Sequence, residues 1–431
     1  MPGNRRTRKR WPSCTFPRIH PCTPPNGAIS WLPKGAELSS RARSSEEQRR
    51  GMDEAIRTAQ FVRNACLRFW MDGEKVSKND IYTHTTKLRA EYEWAKKLNS
   101  TAVQAAGERA WAAISRFYDN CKKGVKPVGY PRFKKNVRSV EYKQSGWKLD
   151  APNKRLTLTD GFKVGVMKLK GTWDPRLYRL EDIKRLRVVK RADGYYAQFL
   201  VDVERHFDLM PSGKTIGLDV GLKSFYTDSN GDDEPNPRFY RQAEQSLKKL
   251  QRRVSRKVKG SNNRKKAVAR LGRKHLKVSR QRKDHAVKLA RCVVASHDVV
   301  AYEDLKVRNM IRNRKLSKSI RDASWREFRL WIEYFARIMG KIAIPVNPAY
   351  TSQICSGCGQ TVKKDLKTRQ HVCGCGVNLD RDYNAAINIL KLGLRMAGHA
   401  KTGEATPETL VETEEDLRLR ASVAEARIPP F

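Results

Sequence analysis

Thr215-Ile216-Gly217-Leu218-Asp219-Val220-Gly221 reads as a buried strand that ends in an acid. The run is too short for a helix and suits a strand covered on both faces. An ionised carboxylate at such a strand end is half-buried, which is costly unless something compensates the charge. Further along, Val293, Val294, Val299, Val300 and Ala301 lead into a second buried strand that ends at Glu303. A helix starting near Asp380-Arg381-Asp382 then runs through Ala385, Ala386, Ile389 and Leu390. Singly, Asp219 reads as a turn residue, Glu303 as a strand-end charge, and Asp380 or Asp382 as a helix N-cap. Converging, three such acids would hold two Mg²⁺ ions about 4 Å apart, one activating water and one stabilising a leaving 3′ oxygen.

Between the second and third acids lie Cys355-Ser356-Gly357-Cys358 and Cys373-Gly374-Cys375-Gly376. Two tight turns, each offering two thiolates, suit one structural Zn²⁺ bound by Cys355, Cys358, Cys373 and Cys375. The glycines after Cys358 and Cys375 permit those turns. The second pair is spaced C-x-C, so that turn is tighter, and His371 is a possible substitute for one thiolate. Full ligation leaves no open position, so this metal has no catalytic role. The other five cysteines are scattered, and with no exported disulfide pattern the chain suits a reducing cytoplasm.

The segment 239–290 is extremely basic. It carries Lys248, Lys249, Arg252, Arg253, Arg256 and Lys257, then, beyond Ser261-Asn262-Asn263, Arg264, Lys265, Lys266 and Arg270. Apolar spacing at Leu247, Leu250 and Val254 predicts two long helices joined near Gly260. Acids are nearly absent from 245–283, so i,i+4 salt bridges do not explain the run. The whole chain has 89 Lys plus Arg against 45 Asp plus Glu, a net charge of +44. Phosphate is the partner such an excess calls for, and these ten residues are read as nucleic-acid contacts. A membrane is excluded as partner, because no apolar run approaches the ~18 residues of a spanning helix.

Residues 1–45 read as a basic, partly disordered arm, with one short apolar stretch at Ile29-Ser30-Trp31-Leu32. A solvated arm on RNA or DNA suits it better than a transit peptide. From 46 to 124 the three- and four-residue spacing of Met52, Ile56, Ala59, Val62, Cys66 and Phe69 predicts a helix that Gly73 ends. Leu88, Tyr92, Ala95 and Leu98 mark a second helix. Asn99 or Ser100 caps a third, carrying Val103, Ala106, Ala110, Ala113 and Phe117. From 125 to 211 the period changes to two. Hairpins are expected at Asp160-Gly161 and Asp193-Gly194, giving an antiparallel sheet expected to close into a small barrel. Tyr130, Phe133, Tyr142, Trp147, Tyr195 and Tyr196 are candidate base-stacking rings, though most suit the sheet's core. The tail from 403 to 431 is acidic and reads as flexible.

The order G-L-D-V-G-L, a basic helical pair, Y-E-D-L, T-S-Q-x-C-S-x-C-G and D-R-D-Y-N-A-A-I-N-I resembles TnpB, the transposon-encoded relatives of type V CRISPR effector nucleases. Gly129-Tyr130-Pro131-Arg132-Phe133-Lys134 and the helix from Arg57 to Leu67 share the likeness, which covers about 46 to 400. The long arm and the C-x-C spacing depart from it. The resemblance implies a multidomain α+β protein. A helical recognition domain (46–124) and a wedge-like β-barrel (125–211) would precede an RNase H-like, RuvC-type nuclease domain. That domain would span 212–348 and close with a helix at 379–402, around an inserted zinc ribbon at 349–378. It assigns catalysis and Mg²⁺ binding to Asp219, Glu303 and Asp382, with Asp380 as the cap.

The implied activity is RNA-guided cleavage of double-stranded DNA beside a short adjacent motif, leaving 5′ phosphates. The implied partners are a guide RNA from the transposon locus and target DNA, with one or two copies of the chain on one RNA. The implied place is the prokaryotic cytoplasm, on the nucleoid. Two other readings use the same residues. One is a guided repressor-like binder that does not cut. The other is an RNA-independent transposase accessory protein, for which no clear helix-turn-helix is present.

Overall fold

The computed structural model describes residues 36–171, 175–203, 206–207, 209–365 and 368–401. The stretch Ile29–Leu32 and the acidic tail lie outside the described residues. The described chain falls into two compact units, 36–205 with 254–273, and 206–253 with 274–401.

In the first unit, β1 (Ala36–Arg43) precedes α1 (Glu46–Asp72), α2 (Lys78–Glu91), α3 (Glu93–Lys96) and α4 (Ser100–Lys122). A capping box starts α1, with Ser45 and Gln48 each accepting from the other's backbone amide. Gly73 ends it. The second expected helix is broken at Tyr92, whose φ of −111° and ψ of 107° separate Leu88 in α2 from Ala95 in α3. Asn99 caps α4 by accepting from the Thr101 amide.

β2 (Ser139–Lys143), β3 (Trp147–Asp150), β4 (Arg155–Leu158), β5 (Val166–Lys170), β6 (Ile183–Arg191) and β7 (Gly194–Val201) follow. With β1 they form a seven-stranded antiparallel sheet of order β2-β6-β7-β1-β5-β4-β3. The expected closed barrel is not found. A segment read as arm supplies β1, which inserts between β7 and β5, and β2 and β3 remain as separate edges. The Asp193-Gly194 hairpin forms as expected, with Arg191 opposite Gly194. Asp160-Gly161 is not a two-residue turn. The Asp160 carboxylate accepts from Tyr142 Oη and the Phe162 amide, and Gly161 donates to the Lys97 carbonyl at 2.7 Å. Pairing with β4 therefore starts only at Val166. Helices and sheet share one core, where Met52, Val62, Val103 and Ile114 meet Tyr142, Leu186 and Phe199.

The second unit is built on β8 (Thr215–Asp219), β9 (Ser224–Asp228), β10 (Asp233–Pro235), β11 (Val299–Glu303) and β12 (Ile342–Val346), in the order β10-β9-β8-β11-β12. β8, β11 and β12 run parallel, and β9 and β10 run antiparallel to their neighbours. In the sequence, helices α5 (Phe239–Ser255) and α6 (Asn262–Ser296) separate β10 from β11, and residues 254–273, the end of α5 and the start of α6, belong to the first unit. Val293 and Val294, expected to lead into a strand, are buried in the last turns of α6. After β11 come α7 (Val307–Met310), α8 (Ser317–Ala323) and α9 (Trp325–Ile338). Phe328 and Ile332 of α9 pack with Ile216, Leu218, Val300, Ala290 and Val294. The hairpin β13 (Gln370–Val372) and β14 (Asn378–Asp380) leads into α10 (Arg381–Lys401), which lies across β8, β11 and β12.

Candidate active site and metal centre

β8 and β11 are adjacent and parallel, with Leu218 opposite Tyr302. Asp219 and Glu303, one residue later on each strand, therefore leave the same end of the sheet. Asp382 lies in the first turn of α10. How close α10 comes to β8 is set by Gly217: a Cβ there would lie 2.3 Å from the Ala386 carbonyl oxygen and 2.7 Å from the Leu390 amide. Ala386 is one turn beyond Asp382, so this bare backbone lets the third acid approach the first. Gly393 does the same against Ala301, where an added Cβ would meet Cβ at 2.5 Å.

Burial pushes the Asp219 carboxyl well above the usual carboxylate range, and the charges of Glu303 and Asp382 add to the push, against Arg381. Burial also raises Glu303, with Asp382 acting in the same sense; a hydrogen bond from Thr351 opposes both. Asp382 Oδ1 accepts from Arg381 Nη2 at 2.9 Å, and its Oδ2 accepts from Arg369 Nη1 at 3.3 Å. Asp380 Oδ1 accepts from the Asp382 amide at 2.8 Å, a capping bond at the start of α10, and the Asp380 charge also acts on Asp219, after those of Glu303 and Asp382. The two arginines pair with Asp382, whereas the raised carboxyls of Asp219 and Glu303 mark an excess of negative charge that a divalent cation would relieve. Beside Glu303 lies a cavity whose wall includes Val220, Tyr302, Lys306, Arg308, Arg326 and Arg329.

The cysteines close more tightly. Among the described residues, Cys355, Cys358, Cys373 and Cys375 form the metal-competent set, with Sγ atoms all within 4.8 Å of one another. The Cys355–Cys375 and Cys358–Cys373 separations are 3.6 and 3.5 Å. Four thiolates at about 2.3 Å from one zinc would sit about 3.8 Å apart, so the set fits the ion. Two turns make it, closed by Gly359 donating to the Cys355 carbonyl and Gly376 to the Cys373 carbonyl. Gly359 and Gly376 have φ of +80° and +93°, as the glycines after each pair were expected to permit. Burial opposes ionisation of Cys355, but the Cys358 and Gly357 amides, His371 and Cys375 hold its thiol down to about 5.

Three residues that were not singled out for a role in the sequence join this module to α10. Asn384 accepts from the Ser356 amide at 2.9 Å and donates to the Ile354 carbonyl at 2.8 Å. Asn388 donates to the Thr351 and Ile354 carbonyls, and Lys391 Nζ to the Ser356 carbonyl. For the buried Asn384 and Asn388, polar side chains on an otherwise apolar helix face were the available signal.

Two family descriptions match this chain, a probable transposase over residues 198–314 and a Cas12f1-like TNB domain over 325–389. A candidate RNA-guided DNA endonuclease of Streptomyces pristinaespiralis is 32% identical over 315 residues, covering 72% of this chain and 75% of that protein. A second, InsQ of Escherichia coli K12, is 30% identical over 333 residues, covering 73% and 78%. The chain belongs to the TnpB family. Its fold also matches a Cas12f1 from a complex with guide RNA and target DNA, with a TM-score of 0.50 and 14% identity over 80% of this chain and 82% of that one.

As a TnpB-family chain it also presents the expected basic surface. Lys248, Lys249, Arg252 and Arg253 are exposed on α5, Arg256 and Lys257 follow it, and Lys265, Lys266 and Arg270 are exposed on α6. Three of the ten residues have internal partners. Lys248 pairs with Glu244 at 3.3 Å, Arg264 donates to the Val254 and Lys257 carbonyls, and Lys265 donates to Asn262 Oδ1 at 3.4 Å. Of the six rings, Tyr142, Trp147 and Tyr195 are core, whereas Tyr130 and Phe133 are exposed. No helix among the described residues is long and apolar enough to cross a membrane.

Proposed function

We propose that this chain is a transposon-encoded, RNA-guided DNA endonuclease whose cutting site is Asp219, Glu303 and Asp382 on an RNase H-like, RuvC-type domain. The observation that carries the site is electrostatic. Burial raises the carboxyls of Asp219 and Glu303, the charges of Glu303 and Asp382 add to the push on Asp219 and that of Asp382 to the push on Glu303, and a cation held among the three would relieve that cost. Asp219, Glu303 and Asp382 would hold Mg²⁺, two ions in the full site. Bound there, the ions supply an activated water and a counter-charge for the leaving 3′ oxygen.

The chain's own residues prepare that chemistry. Asp380 fixes the first turn of α10 and so aims Asp382. Thr351 orients Glu303. Arg381 and Arg369 neutralise Asp382 and lie where a phosphodiester would arrive. The four cysteines would hold one structural Zn²⁺, and the Asn384 and Asn388 bonds tie that ribbon to the catalytic helix. Guide RNA and double-stranded target DNA are the proposed partners, gripped by backbone contacts to the basic helices, while base pairing supplies sequence specificity. The cytoplasm, on the nucleoid, is the proposed place of action, with one or two copies of the chain per RNA.

The test is to express the chain with its flanking locus, sequence the co-purifying RNA, and offer guide-matched plasmids with a randomised flank and Mg²⁺. Guide-dependent double-strand breaks beside one motif, lost in Asp219→Ala with RNA binding retained, are the expected result. A bound RNA with no breaks favours the repressor-like reading. No specific RNA reopens the transposase reading.

A further inference from the structure

His371 sits on β13 opposite Leu379 of β14, two residues before Cys373. The sequence left it as a possible substitute for a thiolate. In the structure its side chain is completely buried, at 0% exposure, and its Nε2 has no hydrogen-bond partner among the described residues. The other ring nitrogen is engaged. Lys364 Nζ contacts His371 Nδ1 and also donates to the Ser352 carbonyl at 3.2 Å.

That contact points to the nitrogen that carries the hydrogen. A lysine ammonium has three donors and no acceptor, so Nδ1 must accept. The neutral ring then keeps its one hydrogen on Nε2. A protonated Nε2 has no lone pair to give a metal. It is, however, the donor that an electron-rich, metal-bound thiolate takes, and a buried N–H rarely goes without an acceptor. The ring lies beside Cys355.

We propose that His371 is not a zinc ligand but a positioning residue that donates Nε2–H to the metal-bound thiolate of Cys355, with Lys364 fixing its tautomer. The proposal rests on the zinc reading of the four cysteines. Four thiolates on one Zn²⁺ leave the site with a net charge of −2, and a donor from a ring backed by Lys364 spreads that charge in a place water cannot reach. Cys375 completes a four-sulfur set, so the short C-x-C turn needs no help from the histidine.

The test uses the full chain, stripped of metal and reloaded with Zn²⁺ in competition with a chromophoric chelator, and in parallel with Co²⁺ to read the ligand set from its visible spectrum. Wild type and His371→Ala should give the same four-thiolate Co²⁺ spectrum, while zinc affinity in the alanine variant falls about 10–100-fold. His371→Gln, which returns an N–H donor, should recover part of that loss. His371→Phe, which fills the space without a donor, should not. A wild-type spectrum with a nitrogen ligand that alanine removes would overturn the proposal, as would unchanged zinc affinity in both the alanine and phenylalanine variants. A wild-type chain that takes up neither metal would overturn the zinc reading itself, which is a different result.

Discussion

Thr351 Oγ1 donates a 2.7 Å hydrogen bond to Glu303 Oε1, and the Thr351 carbonyl accepts from Asn388 of α10 at 2.9 Å. One residue at the entrance to the cysteine module thus touches both the acid of β11 and the helix that bears Asp382. The bond to the carboxylate opposes burial and the Asp382 charge, both of which push Glu303 up. Thr351→Val removes only the donor, so Glu303 holds its proton to a higher pH. Because the protonated acid binds no cation, the acid limb of the cleavage profile should move to higher pH and more Mg²⁺ should be needed near neutrality. A loss of about 10–100-fold in activity or metal affinity is expected, with recovery in Thr351→Ser. A pH–rate profile that does not move would reduce Thr351 to a packing role.

Asp219 makes a prediction of opposite sign for stability and for activity. Its folded carboxyl is held well above the unfolded value, chiefly by burial and then by Glu303 and Asp382. Between the two values the folded chain binds the extra proton, so stability falls as pH rises through that window and the ionised group then strains the metal-free fold. Asp219→Asn should therefore melt higher than wild type in EDTA above that window, by roughly 2–4 °C for each kcal/mol relieved. The gap should shrink when Mg²⁺ is added to wild type. Cleavage in the same variant should fall at least ~10³-fold. An asparagine variant that melts lower in EDTA would contradict the strained-carboxylate account.

Gly217 is predicted to matter as much as the acids, though it bears no chemistry. An alanine Cβ there would lie 2.3 Å from the Ala386 oxygen, 2.7 Å from the Leu390 amide and 2.8 Å from Leu390 Cβ, none of which a side-chain rotation can move away. Gly217→Ala should cost about 1–3 kcal/mol or more and displace α10 from β8. Cleavage should be lost even at temperatures where circular dichroism shows a folded chain. Gly221→Ala is the control, because its Cβ would come only to 3.2 Å of the Ser224 oxygen. Equal behaviour of the two variants would remove Gly217 from the argument.

Cys355→Ser tests the ribbon directly. Cys355 is buried and is the most readily ionised of the sulfurs with a shifted thiol, so it is the natural first ligand. The variant should bind less than one zinc per chain and melt lower, since metal binding to the folded state adds to stability. Because Asn384 and Asn388 fasten this module to α10, cleavage should fall with the metal. Full zinc content in the purified variant would sink the four-cysteine assignment.

What was legible in the sequence followed from what each signal depends on. Asp219, Glu303 and the four cysteines stand in local patterns, an acid after an apolar strand or a thiol pair beside glycine, and the structure places them where those patterns put them. The division of labour between Asp380 and Asp382 needed the resemblance, because both are good caps, and the hydrogen bond from the Asp382 amide agrees with it. The barrel failed for a non-local reason. Period-two patterning shows strands but not their neighbours, and β1, within the segment read as the basic arm, takes a central place in the sheet. Lys391 and Arg369 carried no motif at all, and Asn388 stood in the D-R-D-Y-N-A-A-I-N-I run without a role; what they do exists only once α10 meets the cysteine loop.

The basic run separates two kinds of cation. Lys249, Arg252, Arg253 and Arg256 are exposed, and no ion pair is recorded for them among the described residues. Arg264 is half-buried and holds the turn between α5 and α6 through the Val254 and Lys257 carbonyls. If the exposed four contact phosphate, changing all of them to Gln should lower the slope of log affinity against log salt by about three, at roughly 0.7–0.9 per contact. Affinity should weaken for all sequences alike. Arg264→Ala should instead lower the melting temperature, by the loss of two hydrogen bonds to backbone at about 1 kcal/mol each, and leave the salt slope nearly as it was. Filter binding of the co-purifying RNA across a salt series, beside thermal unfolding, distinguishes them. A slope that Arg264→Ala changes as much as the fourfold variant does would mean that its guanidinium reaches nucleic acid after all.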